Sequence, residues 1–313
     1  MSNIFSSPDF LDIVAAVYYP NSNYTIGPCS IANQTYQLLI VDGQAITQHP
    51  LIDFFEAGPS QASDITASYM QRAAQQSVSV SNYQANPNTI AAPYLQWSKQ
   101  ATWDDWKKQF KTQAKALAKA GGSYIDIPRQ RRRLTKQVGE LQFVYQDSTT
   151  AILDRFFEWK SARYREIGAQ DLWANPQHVA FIQALHEAGL LLVSVLYADQ
   201  QPIAIHLGLE QAGRCYWWLP TFDRQLNRFS AGRILLEDLL QSCFAQGQQE
   251  FDFLNGEEFY KWCYATDVRL VGELGEPPLI SQIKSRIKAK INQQVKDSPV
   301  SLRIARKVQA MMQ

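Results

Sequence analysis

The sequence predicts an α+β protein built on a mixed sheet flanked by helices. Three observations carry this. Apolar runs at 190–198, 202–209 and 214–222 are joined by the short links Asp199-Gln-Gln and Glu210-Gln-Ala-Gly213, the pattern of an antiparallel meander. A long helical pattern over 231–246 stops at Gly247, and the strand-like run Glu250-Phe-Asp-Phe-Leu follows it, so a helix crosses between neighbouring strands. Two amphipathic helical patterns precede the meander.

The elements follow in chain order. The first 55 residues mix short aromatic-rich runs with turn residues. Within them, 36–41, Asp42-Gly43 and 44–47 form a predicted hairpin, because Asp-Gly supplies the positive φ values of a tight turn. A helix is predicted over 63–75, and 77–93 is Ser/Asn/Gln/Pro-rich loop with some extended structure. Trp103, Trp106, Phe110, Ala114 and Leu117 recur at helical spacing over 102–119, and Gly121-Gly122 ends that helix. The basic run Arg129-Gln-Arg-Arg-Arg-Leu-Thr-Lys136 reads as a solvated helix face, with contact to an anionic substrate or cofactor phosphates as the other reading. A strand at 140–146 and a helix over 148–168, with Ile152, Phe156, Phe157 and Trp159 on one face, come next. Asn175-Pro176 opens a second helix that Gly189 closes. After the meander come the 231–246 helix, the 250–254 strand, a short helix at 257–263 and a last strand at 268–274.

At 313 residues the chain has room for about two domains, at roughly 100–200 residues each. The predicted division is 1–125, a degenerate first module; 126–278, the domain bearing the site; and 279–313, a basic amphipathic helical tail. A net charge of +1 gives no case for a nucleic-acid-coating protein. Cys29, Cys215, Cys243 and Cys263 form no C-x-x-C pair and have no His at zinc-ligand spacing, so they read as small buried hydrophobes and no metal is expected. With no signal peptide and no apolar run of about 18 residues, a cytoplasmic location is expected. The tail, with Lys284, Arg286, Lys288, Lys290, Lys296, Arg303, Arg306 and Lys307, reads as a helix packed on its own domain. It could instead lie on the inner face of a membrane or on a synthase complex.

Chemistry concentrates between Tyr216 and Tyr264. There a strand runs through a loop into a helix whose first turn is Ser230-Ala231-Gly232-Arg233. Ser230 suits the N-cap, and Gly232 allows close approach to the backbone. Arg228 and Arg233 bracket a helix start that is already positive, which makes sense if an anion binds there. Alternatively they point outward and pair with Asp223 or Glu237.

Arg228-x-x-x-Gly232-Arg233 partly matches the pyrophosphate motif of GNAT acyltransferases. Three runs resemble the BioF2-like, CelD-type acetyltransferases: Trp217-Trp-Leu-Pro-Thr-Phe-Asp223, Phe229-Ser-Ala-Gly-Arg-Ile-Leu-Leu236 and Glu250-Phe-Asp-Phe-Leu-Asn-Gly-Glu-Glu-Phe-Tyr-Lys261. Supporting features are Gly139-Glu-Leu-Gln-Phe143, Trp159-Lys160 with Arg163, and Pro202-Ile-Ala-Ile-His-Leu-Gly208. The resemblance implies a GNAT-like fold, with two tandem modules as in FemAB-type transferases. It also implies acetyl-CoA or another acyl-CoA as donor, its pantetheine between the strand ending at Phe222 and the strand at Phe251, and its phosphates at Arg228, Ser230, Ala231, Gly232 and Arg233. The acceptor would be a small amino compound or a sugar, in envelope or polysaccharide metabolism. The alternatives are a FemAB-like transferase drawing on aminoacyl-tRNA, and a degenerate, non-catalytic interaction subunit.

Direct transfer needs a base for the acceptor and an acid for the leaving thiolate. His206 shares a strand face with Ala204 and Gly208, small residues that leave room for a substrate, so it is the candidate base, with a structural role as the alternative. Asp252 is either catalytic or a structural anchor, and Glu257 is an acid/base or acceptor-binding candidate at the strand end. The resemblance implies a general-acid role for Tyr260. Lys261 could hold a phosphate or carboxylate, and one of Trp217 and Trp218 would wall the acceptor site while the other joins the core.

Overall fold

Ser7, Pro8 and Asp9 start the first helix. The Phe10 amide donates to the Ser7 hydroxyl, and Pro8 occupies a position where no N–H is needed. Helix α1 (Pro8–Tyr18) buries Phe10, Leu11, Val14 and Ala15. The sequence reading missed it because only Asp9 and Asp12 mark a polar face, so the 3.6-residue contrast is weak. The computed structural model describes residues 3–31, 34–46, 49, 51, 56–60, 90–119, 124–256 and 258–271. The helix expected over 63–75, most of the 77–93 loop, Glu257 and the 280–313 tail lie outside those residues.

Strands β1 (Tyr24–Ile31), β2 (Gln34–Val41) and β3 (Gln44–Ala45) form a small antiparallel sheet. Asp42 (φ 48) and Gly43 (φ 79) make the expected tight turn between β2 and β3.

The main sheet has eight strands in the order β4-β11-β5-β10-β9-β8-β7-β6. Strands β4 (Glu56–Ser60) and β5 (Ile90–Gln96) come from the first third of the chain. The others are β6 (Leu141–Val144), β7 (Leu191–Ala198), β8 (Gln201–Gln211), β9 (Arg214–Phe222), β10 (Glu250–Asp252) and β11 (Asp267–Val271). The meander β7–β8–β9 is antiparallel as expected, and β10 pairs parallel to β9. The expected domain boundary at 125–126 falls between α2 (Trp103–Lys119) and α3 (Ile127–Val138), and the sheet takes strands from both sides of it.

Helices cover both faces. One core packs α2, α3 and α6 (Ala231–Ala245) against the sheet. The other packs α1, α4 (Ala151–Ile167) and α5 (Pro176–Glu187) on the opposite face. On β8, Ile205, Leu207 and Leu209 face the second core and Ala204 the first, an alternation that begins after Ile203, which lies in the first core beside the irregular pairing with β7. A short helix α7 (Phe259–Trp262) follows β10. This is an α+β fold, a mixed sheet with helices on both faces. No helix among the described residues is long and apolar enough to cross a membrane.

Candidate functional site

Strands β9 and β10 pair for only three residues. Glu250, Phe251 and Asp252 lie beside Arg214, Cys215 and Tyr216, and then the chain turns away, its Phe253 amide donating to the Pro93 carbonyl of β5. β9 runs on to Phe222. From Trp217 outward its edge has no strand partner among the described residues, which leaves a slot of about 17 Å at about 3.3 Å per residue. A bulge between Leu207 and Leu209 of β8 distorts β9 at the point where the strands part.

The slot leads from the start of α6. Asp223 caps a 3₁₀ turn, Arg224–Phe229, by accepting from the Gln225 amide at 2.9 Å. This turn feeds directly into α6. Ser230 stands at the N-cap position with left-handed backbone (φ 58), and its hydroxyl makes no cap bond, contrary to the expectation for this serine. Helix first-turn amides lack intrahelical acceptors. Ala231 is buried, and the Phe222 ring fills the space opened by Gly232, where a Cβ would lie 3.1 Å from it.

Arg228 is exposed, lies over the Phe229 ring at 4.7 Å and is 3.5 Å from Gln137. Arg133 of α3 covers the same ring at 5.6 Å. Arg129, Arg132, Arg133 and Lys136 of α3 are exposed. The basic run therefore stands beside the α6 start, because α3 packs on both α6 and the 3₁₀ turn. Arg131 is tied to Asp238 of α6.

Arg233 turns inward. Its guanidinium lies 5.3 Å from the Tyr260 ring and 5.4 Å from the Tyr264 ring, and it donates to the Tyr264 hydroxyl at 3.5 Å. Tyr264 in turn donates to Glu237 at 3.1 Å. Of the two sequence readings for Arg233, the one that turns it toward Glu237 is nearer, with Tyr264 as intermediary. Burial lifts the Glu237 pKa.

On the slot side, Trp217 donates its indole N–H to the Tyr260 hydroxyl at 2.9 Å. Burial raises the Tyr260 pKa, so the phenol keeps its proton, and that proton has no acceptor among the described residues. Trp217 and Trp218 lie on opposite faces as expected. Trp217 stands in the first core, while Trp218 faces the second and donates to the Leu51 carbonyl at 2.8 Å.

His206 is fully buried. Its ring stacks on Trp217 at 4.4 Å and accepts from the Trp218 amide at 3.3 Å, while Nδ1 has no partner. Desolvation lowers its pKa to about 3. The space expected for a substrate over Gly208 is taken by the His206 ring itself, into which a Cβ there would collide.

Asp252 is also buried, ion-paired to Arg269 and accepting from the Leu254 amide at 2.8 Å. Arg214 and Arg269 each lie 2.7 Å from Glu250. These four charges join β9, β10 and β11, and the anchoring role is the one this geometry fits. Lys261, a candidate for holding a phosphate or carboxylate, is buried. It donates to the Asn255 carbonyl and pairs with Glu258 at 3.0 Å, holding the loop after β10.

Sequence reasoning assigned no chemistry to Lys160 of α4. It continues the buried stripe of Leu153 and Phe156, lies 5.7 Å over the Phe156 ring, and has its pKa lowered to about 8 by desolvation. A lysine at i+4 on an apolar face was the available signal.

Comparison with curated proteins gives no match. Among solved structures, FemX is similar at 8% identity, covering 87% of this chain and 91% of that one, with a TM-score of 0.46. A conserved protein of unknown function from Bacteroides thetaiotaomicron is similar at 12% identity, covering 87% and 90%, with a TM-score of 0.45. A structure described as the C-terminal domain of a lysylphosphatidylglycerol synthetase from Agrobacterium fabrum shows 10% identity, covering 59% of this chain and 60% of that one, with a TM-score of 0.39. This chain thus spans less than two thirds of that last relative. Residues 125–262, which run from the start of α3 to the end of α7 and include the slot, match the family model described as an acetyltransferase (GNAT) domain.

Proposed function

We propose that this chain is a direct-transfer acyltransferase that takes its acyl group from a CoA thioester and gives it to a small amine or hydroxyl acceptor. The parting of β9 from β10 carries this reading, because an extended arm can pair with the exposed edge of β9 from Trp217 to Phe222. The α6 start offers first-turn amides and the exposed Arg228 to the donor's phosphates. Tyr260, protonated and with an unclaimed proton, is placed to protonate a leaving thiolate. His206 is too weak a base and too deeply set to take a proton from the acceptor, so in this reading it positions Trp217 and the β9 bulge. Arg233 supports the ring of Tyr260 rather than reaching the phosphates.

One observation favours a second reading. The exposed cations of α3 beside the α6 start are more than a CoA pyrophosphate needs, and an aminoacyl-tRNA acceptor stem would use them.

Calorimetric titration with acetyl-CoA and desulfo-CoA separates these readings. Micromolar binding by the wild type, lost in Gly232→Asp and weakened in Arg228→Glu, supports the CoA reading. Failure of the wild type to bind either compound overturns it. Salt-sensitive binding of aminoacyl-tRNA would then favour the second reading, and stable association with a synthase complex alone would mark a non-catalytic subunit.

A further inference from the structure

At the end of the sheet remote from the α6 start, four acidic side chains converge without a cation. Glu210 and Cys215 are cross-strand partners on β8 and β9. Cys243, three turns along α6 from Arg233, comes down on the same face. One carboxylate oxygen of Glu210 and the thiols of Cys215 and Cys243 all lie within 4.8 Å of one another. The Tyr145 hydroxyl donates to Glu210 and stands 3.8 Å from the Cys243 sulfur. Gln248 donates to the same carboxylate at 3.0 Å. Both cysteines are fully buried, and no Lys, Arg or His is ion-paired to Glu210 among the described residues. Burial raises the pKa values of Cys215, Glu210 and Tyr145. A pocket of about 390 Å³, lined by Tyr145, Gln146, the 189–192 turn and Glu210, opens beside the group.

We propose that Cys215, Cys243 and Glu210 bind a thiophilic divalent cation of the zinc class. Two sulfurs and one carboxylate oxygen form a ligand set suited to zinc, and tetrahedral coordination leaves a fourth position facing the pocket for a water molecule. The cation replaces the thiol protons, which leave through that pocket, and its charge balances the two thiolates. Tyr145 and Gln248 orient the carboxylate as outer partners. The site ties the C-terminal half of α6 to β8 and β9, away from the slot, so its role is structural.

The test uses the full-length reduced chain, stripped with a chelator and titrated with cobalt(II) and then zinc. The expected result is one cobalt per chain with a thiolate-to-metal charge-transfer band, bleached by zinc. Cys215→Ser and Cys243→Ser each weaken the band and the double variant loses it, Cys263→Ser keeps it, and Tyr145→Phe keeps it with affinity weakened about 10–100-fold. Should a serine variant unfold, alkylation of the two thiols in the folded wild type with and without zinc decides the matter, since bound zinc must protect them. No band and no protection in a folded wild type overturns the proposal, as does a band that stays at full intensity in a folded Cys215→Ser chain.

Discussion

Tyr260 keeps its proton through neutral pH because burial lifts its pKa above the ordinary value of 10. In the proposed reading, with Tyr260 as the acid, the rate shows no alkaline loss below pH 10. Tyr260→Phe is expected to lower kcat by about 10²-fold with KM little changed, measured by steady-state transfer from acetyl-CoA. His206 acts in the opposite direction, on stability. Its folded pKa of about 3 lies below the unfolded value near 6.5, so the unfolded chain binds more protons between those limits. The stability it contributes is complete above pH 6.5 and falls as pH drops toward 3, by at most about 1.4 kcal/mol per pH unit. His49, lowered to about 4 chiefly by burial, acts in the same sense. Urea midpoints measured from pH 7 to 4 should fall, and His206→Gln should flatten the slope.

The placing of β10 between β9 and β5, with β11 beyond β5, depends on four buried charges. Arg214, Glu250, Asp252 and Arg269 all have side chains no more than 6% exposed. Removing one charge leaves its partners buried and uncompensated, so Asp252→Asn should cost about 3–5 kcal/mol in denaturant unfolding. If Asp252 were instead a catalytic base, the variant would keep its stability and lose only rate. Elements after residue 140 were legible because their periodicities are clean and glycines end their helices, as Gly168, Gly189 and Gly247 do. The Tyr216–Tyr264 run showed in the sequence as a strand, a loop and a helix start, and the structure forms those elements there. The directions of Arg233, Lys261 and His206 were not legible: Tyr264 and Trp217 turn Arg233 and His206 through contacts between separate elements, and the loop after β10 folds back so that Lys261 meets the Asn255 carbonyl.

At the scale of the whole molecule, the N-terminal segment is part of the core that supports the site. The Ile4 amide donates to the Tyr216 hydroxyl at 3.2 Å, and Phe5 packs edge-on against Tyr216 and Trp218. Phe5, Phe10, Leu11 and Val14 are fully buried. At about 1.5–3 kcal/mol each they contribute on the order of 6–12 kcal/mol, comparable with the about 5–15 kcal/mol that holds a typical domain folded. Deletion of residues 1–22 should therefore yield a chain without a cooperative unfolding transition by circular dichroism. A truncated chain that melts like the full one would show that the segment is dispensable. The placement of β5 between β10 and β11 has the same basis and the same invisibility in the sequence, since a strand's partners are set by the sheet it joins.

The buried charge cluster has a mechanical consequence. It spans the three residues that β9 and β10 share, up to Asp252 at the crotch of the fork. Anything wedged between two strands tends to peel them apart from the open end, as a crack runs from its tip. Ion pairs crossing from β9 and β11 to β10 act there like a rivet at the corner of a seam. They arrest the split at Tyr216 and give the slot a fixed floor, so in the proposed reading the depth to which a donor's arm enters is set by the fold and not by the arm.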